Sequence, residues 1–200
     1  MIVAVTPVKR LSQAKSRLSA LLSPEERAGL VTAMLRRTVA LLQAVDAIDR
    51  IAVATEERQL VDSLDLVDWL PDMGGLNPSL AHAATWATDL GAQSMLVLPC
   101  DLPLLQGSDI RAFLNSSRTY PGVSIAPTED GGTGAILLSP PQVLEPAFGN
   151  DSFRRHREEA RAKGVSVRTV VRHGFLRDLD TTEDLEYLDA NMIDFRCLTT

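Results

Sequence analysis

The sequence contains few cysteines, few aromatic residues and no long apolar run. Its two cysteines, Cys100 and Cys197, have no neighbours at the spacing of metal ligands. So few cysteines in 200 residues argue against a disulfide framework and fit a reducing compartment. No apolar run is long enough to span a membrane, and Pro7 and Lys9 interrupt the first one too early for a signal peptide. We therefore expect a soluble, cytoplasmic protein with no membrane partner.

An excess of positive charge is also missing. The formal net charge is -6 and the sequence pI is about 5.1. Such a chain is poorly suited to neutralise the phosphates of nucleic acid or anionic lipid, so small ligands are expected as partners instead. The sequence also has no glycine-rich phosphate loop of the familiar kinds. Any phosphate site must therefore be built from other residues.

The hydrophobic pattern predicts the fold class. With 45% hydrophobic residues, the chain suits one domain over residues 1–200, with fraying expected at 194–200. Short runs of Val, Ile and Leu alternate with stretches of helical spacing, and continuous apolar runs are typical of strands covered on both faces. The expected class is α/β, a mostly parallel sheet sandwiched by helices. The predicted strands comprise residues 2–5, 51–54, 95–98, 123–126, 136–138 and 165–171.

Capping signals predict where the main helices begin. Ser23 can cap a helix that has Pro24 at its first position, with acidic residues next, and that runs to about Ala44. A second helix is expected to follow Asn77 as its cap and to stop before Gly91. Further helices are predicted near residues 108–116, 152–163 and 182–190.

The loop after the first predicted strand is strongly basic. It contains Lys9, Arg10, Lys15 and Arg17. Ligands bind at the carboxyl edge of open α/β sheets, and a cationic loop at that edge suits a triphosphate. An ordinary solvated loop is the competing interpretation.

Three aspartates are candidate metal ligands. Asp101 follows a buried strand between two prolines, where a carboxylate can hold magnesium together with substrate phosphates. Asp178 and Asp180 alternate, so in an extended segment they point the same way. The alternatives are that Asp101 only organises a turn, and that Asp180, Thr181 or Thr182 caps the last helix.

Three further segments could contact substrates. The glycine-containing loops at 74–77 and 130–134 permit close approach of a base or phosphate, although such glycines are often only conformational. In segment 148–156, Ser152 can cap a helix whose first amides would take a phosphate or carboxylate. His156 is interpreted as a surface histidine, and no spacing indicates nucleophilic catalysis.

Taken in order, these segments resemble the guanylyltransferases of coenzyme F(420) biosynthesis. Those enzymes activate 2-phospho-L-lactate, phosphoenolpyruvate or 3-phospho-D-glycerate with GTP. The resemblance covers nearly the whole chain. It is carried by Pro7-Val-Lys9, Ala14-Lys-Ser-Arg-Leu18, Leu22-Ser-Pro-Glu25, Gly75-Leu-Asn77, Leu98-Pro-Cys-Asp-Leu-Pro-Leu-Leu105, Ala126-Pro127, Asp130-Gly131, Phe148-Gly149, Ser152-Phe153 and Leu179-Asp-Thr181.

The resemblance implies a fold, a cofactor and specific site residues. The fold would be that of nucleotide-diphospho-sugar transferases, which is glycosyltransferase-A-like, and the cofactor would be magnesium on Asp101, Asp178 and Asp180. GTP would bind Lys9, Lys15, Arg17, Gly75 and Asn77, with Lys15, Arg17 and Asp101 catalytic. The acid would bind Thr133, Gly134, Gly149 and Ser152.

One loop departs from the pattern of the family. Relatives often have Asp-Gly-Thr-Gly-Thr, whereas this chain has Asp130-Gly-Gly-Thr-Gly-Ala135. The threonine that contacts substrate is therefore displaced by one position or missing, and either Thr133 or Gly134 takes its place. This departure bears on the identity of the acid more than on the reaction.

Two other functions compete with this interpretation. A nucleotidyltransferase of the molybdenum-cofactor or sugar-1-phosphate type would share the fold, but such enzymes commonly have a glycine-rich loop with an arginine after strand one. Here that loop is Pro7-Val-Lys-Arg10. A non-catalytic nucleotide-binding module is the second alternative. The oligomeric state is open, with a homodimer as one option.

Overall fold

The computed structural model describes residues 1–116 and 120–190. The predicted fraying of 194–200 falls outside the described residues, as does Cys197. Within these ranges, seven strands, numbered along the chain, form one sheet in the order β3-β2-β1-β4-β6-β5-β7. Strand β6 runs antiparallel to β4 and β5, and the other neighbouring pairs are parallel. The expected mostly parallel α/β architecture is confirmed.

The elements follow one another as strands and helices in near alternation. The strands are β1 Ile2–Pro7, β2 Arg50–Ala54, β3 Val67–Leu70, β4 Ser94–Val97, β5 Gly122–Pro127, β6 Thr133–Ser139 and β7 Ser166–Thr169. The helices are α1 Pro24–Gln43, α2 Arg58–Asp62, α3 Leu76–Asp89, α4 Gly107–Ser116, α5 Ser152–Ala162 and α6 Thr182–Ala190. No helix in the described ranges has both the length and the apolar character needed to cross a membrane.

The central strands are apolar because both faces of the sheet are covered. Val3, Ala4 and Val5 of β1 are fully buried, and alternate residues pack into the cores on opposite faces of the sheet. All seven residues of β6 are buried as well. This two-sided burial explains why continuous apolar runs located five of the seven strands in the described residues, and a sixth, β7, was located although most of its residues are exposed. The seventh, β3, lies at the sheet edge and interrupts its apolar residues with Asp68.

The two clearest helix predictions met different outcomes. Helix α1 begins as predicted, since the Ser23 hydroxyl accepts from the Glu26 amide and the Glu26 carboxylate accepts from the Ser23 amide. Helix α3 begins earlier than predicted, with Gly75 rather than Asn77 at the cap position. The prediction for Asn77 was wrong because its amide group binds another segment of the chain.

Topology brings several loops to one edge of the sheet. Strands β1 and β4 are adjacent and parallel, so the loops after Pro7 and Val97 leave from the same edge. Strand β6 is antiparallel to β4 and starts at Thr133, beyond the Val97–Ile136 pair, so its first residue lies at that edge too. The chain from 176 to 180 joins them, because the Leu179 amide donates to the Asp101 carbonyl at 2.9 Å.

Candidate active site

Lys15 lies at the centre of the basic loop. It has a left-handed backbone with φ of 50° and separates two short 3-10 helices, Leu11–Gln13 and Ser16–Leu18. This turn directs the side chain inward, where it is only 7% exposed. Its Nζ atom lies 2.7 Å from Oδ2 of Asp101 and 3.6 Å from Oδ1 of Asp180.

Lys15 is held in its charged form. Burial lowers its pKa, but the charge and hydrogen bond of Asp101, with a smaller contribution from Asp180, outweigh burial and raise the pKa above its usual value. A buried, permanently charged ammonium at the carboxyl edge of the sheet can neutralise a phosphate.

The predicted acidic residues gather around this ammonium. Asp180 also pairs with Arg17, whose Nη1 lies 2.9 Å from Oδ2, and the Arg17 side chain is 71% exposed. Burial and then the charge of Asp101 raise the pKa of Asp178 to about 6. The structure therefore brings Lys15, Arg17, Asp101, Asp178 and Asp180 into one cluster, from segments far apart in the sequence.

The start of α6 shows that capping and clustering coexist. The Asp184 carboxylate accepts from the amides of Asp180 and Thr181 at 3.0 and 2.8 Å, and the Thr181 hydroxyl accepts from the Asp184 amide at 3.4 Å. Thr181 is thus the capping residue among the alternatives. The carboxylate of Asp180 stays free of this cap and faces the two cations.

The chemistry of this donor set fits a divalent cation that arrives with substrate. No group of three or more acidic, His or Cys side chains in residues 1–116 and 120–190 is close enough to hold a metal by itself. Magnesium, however, commonly binds one or two protein carboxylates and completes its shell with phosphate and water. Asp101, Asp178 and Asp180 outnumber the cations Lys15 and Arg17, so the cluster retains excess negative charge.

The remaining basic residues of the loop lie apart from this cluster. Arg10 forms an ion pair with Glu56, and Lys9 is exposed. These observations do not assign Lys9 to a nucleotide, so its role in GTP binding stays a prediction.

The glycine loop before α3 is organised by an aspartate that the sequence reasoning missed. Oδ1 of Asp72 accepts from the amides of Gly74 and Gly75 at 2.7 and 2.8 Å. Gly75 has φ of 141°, which a residue with a side chain rarely adopts. These amides are therefore already occupied and do not donate to a base or phosphate that approaches the loop.

Asn77 joins this loop to the segment that precedes α5. Its Oδ1 accepts from the Phe148 amide at 2.8 Å, and its Nδ2 donates to the Phe148 carbonyl at 3.2 Å. Asn77 itself lies in the loop predicted to bind GTP. Since Gly149 directly follows Phe148, Asn77 also fixes the position of the loop predicted to bind the acid.

A second polar cluster forms where β6 meets α5. The Ser152 hydroxyl donates to the Thr133 hydroxyl oxygen at 3.0 Å, and Nδ1 of His156 lies 3.2 Å from the same oxygen. Ser152 is the first residue of α5 rather than its cap, because its hydroxyl is used by Thr133. The interpretation of His156 as a surface residue was wrong, since its side chain is fully buried.

The first amides of α5 are also engaged. Those of Ser152 and Phe153 donate to the carbonyls of Gly149 and Gly131 at 3.0 and 3.3 Å. The expectation that the amides of Ser152 and Phe153 would receive an anion therefore loses its geometric support.

Gly134 and Thr133 have different surroundings. A Cβ added to Gly134 would overlap the carbonyl oxygen of Phe175, so this glycine is required by close backbone packing. The hydroxyl of Thr133, in contrast, lies in the polar cluster with Ser152. Of the two residues, only Thr133 therefore offers a hydroxyl group.

The two clusters adjoin through the loop at Asp130. Its negative charge contributes to the raised pKa of Asp178. The Glu129 amide donates to the Leu176 carbonyl at 2.8 Å, which fixes this loop against the chain leading to Asp178. The loop that precedes Thr133 therefore lies beside the segment that leads to Asp178.

The burial of His156 predicts a pH-dependent stability. Burial lowers its pKa to about 4 from a usual 6.5. The charge of Glu159 raises this pKa, and the charge of Arg155 lowers it. Between these values the unfolded chain binds more protons, so the free energy of unfolding falls as pH decreases from 6.5 to 4. The contribution of His156 to this free energy should fall by roughly 3 kcal/mol. It is measured as the difference between denaturant titrations of the unmodified protein and of a His156 variant, because the raised pKa of Asp178 acts in the opposite direction in both proteins. The His156→Asn variant should lack this component, and equal pH profiles would contradict the assignment.

Comparison with known proteins assigns the chain to a family. Residues 2–191 match the family model described as "Guanylyl transferase CofC like". The chain belongs to this guanylyl transferase family. A phosphoenolpyruvate guanylyltransferase from Rubrobacter xylanophilus is 39% identical over 95% of this chain and 94% of its own length. A 2-phospho-L-lactate guanylyltransferase from Methanobrevibacter ruminantium is 28% identical over 92% and 83%.

A solved structure supports the fold assignment of this CofC-like chain. A Desulfovibrio desulfuricans protein described as a nucleotide-diphospho-sugar transferase superposes with a TM-score of 0.79. The match covers 96% of this chain and 88% of the other, at 18% sequence identity. The expected nucleotide-diphospho-sugar transferase fold is thus confirmed, and family membership makes the CofC-like chain a nucleotidyltransferase.

Proposed function

We propose that this enzyme condenses GTP with a phosphorylated three-carbon acid, giving a guanylylated acid and pyrophosphate in coenzyme F(420) biosynthesis. The observation that carries the proposal is the buried ammonium of Lys15 among Asp101, Asp178 and Asp180, next to the hydroxyl cluster of Thr133. The first group suits a triphosphate with magnesium, and the second suits the far end of a small acid.

The reaction needs no dedicated base. A phosphate oxygen of the acid attacks the α-phosphorus of GTP, forming one P–O bond while the bond from that phosphorus to the β-phosphate oxygen breaks. Pyrophosphate leaves with the electron pair. A phosphate monoester is already anionic near neutral pH, so the protein contributes positioning and charge neutralisation.

The charge pairs of the cluster suggest how substrate is received. We assign Lys15 and Arg17 to the triphosphate and Asp101, Asp178 and Asp180 to magnesium, which would neutralise and orient the phosphates. Lys15 pairs with Asp101 and Asp180, and Arg17 pairs with Asp180. Exchange of these partners for triphosphate and magnesium would keep every buried charge compensated.

The remaining parts of the two substrates are assigned to the loops around the cluster. We place the GTP base and ribose near Lys9, Gly75 and Asn77, and the acid near Thr133, Gly149 and Ser152, with Gly134 in a packing role. Phosphoenolpyruvate, 2-phospho-L-lactate and 3-phospho-D-glycerate are the candidate acids. A cytoplasmic location and a homodimer remain predictions that need their own tests.

A substrate screen tests the proposal. Purified enzyme with magnesium is given GTP, ATP or CTP, each combined with the three acids or with a sugar 1-phosphate, and pyrophosphate is measured. We expect release only with GTP and a phosphorylated acid. Release with CTP and a sugar phosphate would indicate the alternative enzyme class. Saturable GTP binding without product in any combination would indicate a binding module.

A further inference from the structure

The hydrogen bonds around His156 determine which ring nitrogen carries the proton. The backbone amide of Ala147 lies 3.0 Å from Nε2. A backbone amide can only donate, so Nε2 must present its lone pair. Burial keeps the ring neutral at working pH, with its pKa lowered to about 4. The single ring proton is therefore on Nδ1.

This tautomer determines the role of the neighbouring threonine. The Nδ1–H group donates to the Thr133 hydroxyl oxygen at 3.2 Å, and the Ser152 hydroxyl donates to the same oxygen at 3.0 Å. A hydroxyl oxygen has two lone pairs, and both are now used. Thr133 can then interact with any further group only by donating its own proton.

The Thr133 hydroxyl proton is available for a ligand. In residues 1–116 and 120–190, no hydrogen bond has this hydroxyl as its donor. Thr133 is the first residue of β6, at the edge of the sheet that carries Asp101, and is 7% exposed. The opposite tautomer would make Thr133 donate to Nδ1 and would direct an oxygen lone pair at the ligand.

We propose that His156 is a positioning residue that holds the Thr133 hydroxyl as a hydrogen-bond donor to the carboxylate of the acid substrate. The inference rests on the proposed function. The acid's phosphate must reach the aspartate cluster to attack GTP, so the carboxylate is the anionic group left for Thr133. A hydroxyl fixed as a donor favours a carboxylate and disfavours a neutral or cationic group in its place.

Two substitutions separate this role from simple packing. His156→Asn places an amide donor near the position of Nδ1 and keeps the bond to Thr133, but loses the acceptor for Ala147. His156→Gln reaches the position of Nε2 and keeps that acceptor, but loses the donor to Thr133. Both remove the buried ring, so both should lower the unfolding midpoint to a similar extent.

Steady-state kinetics with GTP and the acid found in the screen give the decisive comparison. In His156→Gln we expect the KM for the acid to rise about 10- to 100-fold, the effect of one hydrogen bond to a charged group. The kcat and the KM for GTP should change little. In His156→Asn the KM for the acid should stay close to that of the unmodified enzyme. Equal increases in both variants, or none in either, would overturn the proposal.

Nitrogen-15 NMR of the histidine ring tests the tautomer without any turnover. We expect a protonated Nδ1 and an unprotonated Nε2 in the unmodified protein. A proton on Nε2 would overturn the inference while leaving the proposed function intact. Absence of product with every acid in the unmodified enzyme would instead overturn the proposed function, and the role assigned to His156 with it.

Discussion

Replacing Lys15 with Met should reduce kcat/KM for GTP by about 10²–10³-fold, the loss that follows removal of one group that stabilises charge at an active site. In the proposed reaction, the buried ammonium would neutralise the triphosphate as negative charge moves toward pyrophosphate. Initial rates at varied GTP concentration measure the change. Lys163→Met removes the same charge from an exposed pair with Glu159 and serves as the matched control. Its kcat/KM should be unchanged.

Lys15→Arg, which keeps the positive charge, should lose activity to a similar extent as Lys15→Met. The side chain of Lys15 is only 7% exposed and reaches Asp101 from a left-handed backbone, so we expect a longer, planar guanidinium to place its charge differently from the ammonium. Activity of Lys15→Arg or Lys15→Met close to that of the unmodified enzyme would contradict the role of the ammonium.

Removal of the ammonium should also change how magnesium affects stability. Without Lys15, the carboxylates of Asp101, Asp178 and Asp180 repel one another with only Arg17 to compensate. A divalent cation that binds the folded chain then stabilises it more. Thermal unfolding should therefore show a larger rise of Tm with magnesium in Lys15→Met than in the unmodified protein. An equal or smaller rise would place the metal elsewhere.

Asp101→Asn should abolish most activity with a smaller effect on folding. We expect kcat/KM to fall by about 10²–10³-fold, because the amide oxygen is a poor ligand for magnesium. The free energy of unfolding should fall by less than about 3 kcal/mol, because the amide oxygen still accepts from Lys15 and the repulsion with Asp178 is relieved. Rates at varied magnesium and denaturant unfolding measure the two effects.

The control for this variant is Asp68→Asn. Asp68 pairs with Arg50 at 2.8 Å on the far edge of the sheet, so the substitution removes the same charge from an ion pair outside the site. We expect its kcat/KM to match that of the unmodified enzyme. A fully active Asp101→Asn would exclude Asp101 as a metal ligand and reduce it to a turn residue.

The fold was largely predictable because burial on both sides leaves a simple pattern. Strands such as β1 and β6 each contain a continuous apolar run, and the start of α1 depends only on adjacent residues around Ser23. Strand β3 was missed because an edge strand needs no continuous apolar run. Asn77 was misassigned because its actual partner, Phe148, is distant in the sequence.

Part of the candidate site could be predicted from the sequence where a carboxylate follows the end of a buried strand. Asp101 is such a case, and the resemblance to relatives grouped it with Asp178 and Asp180, but no pattern predicted the ion pair between Asp101 and Lys15. His156 could not be found in this way. Its burial is produced by Ala147, Phe148 and Thr133 together, while its neighbours along the chain are arginines typical of a surface. A histidine one helical turn after Ser152 was the only local signal.

The most direct measurement is the structure of the product formed from GTP, magnesium and each acid, determined by mass spectrometry and phosphorus NMR. The account predicts one product in which the acid's phosphate is joined to the α-phosphorus of the guanylyl group, formed in equal amount to pyrophosphate and only when acid is present. The account would be contradicted if the enzyme still binds GTP but forms no such product with phosphoenolpyruvate, 2-phospho-L-lactate or 3-phospho-D-glycerate.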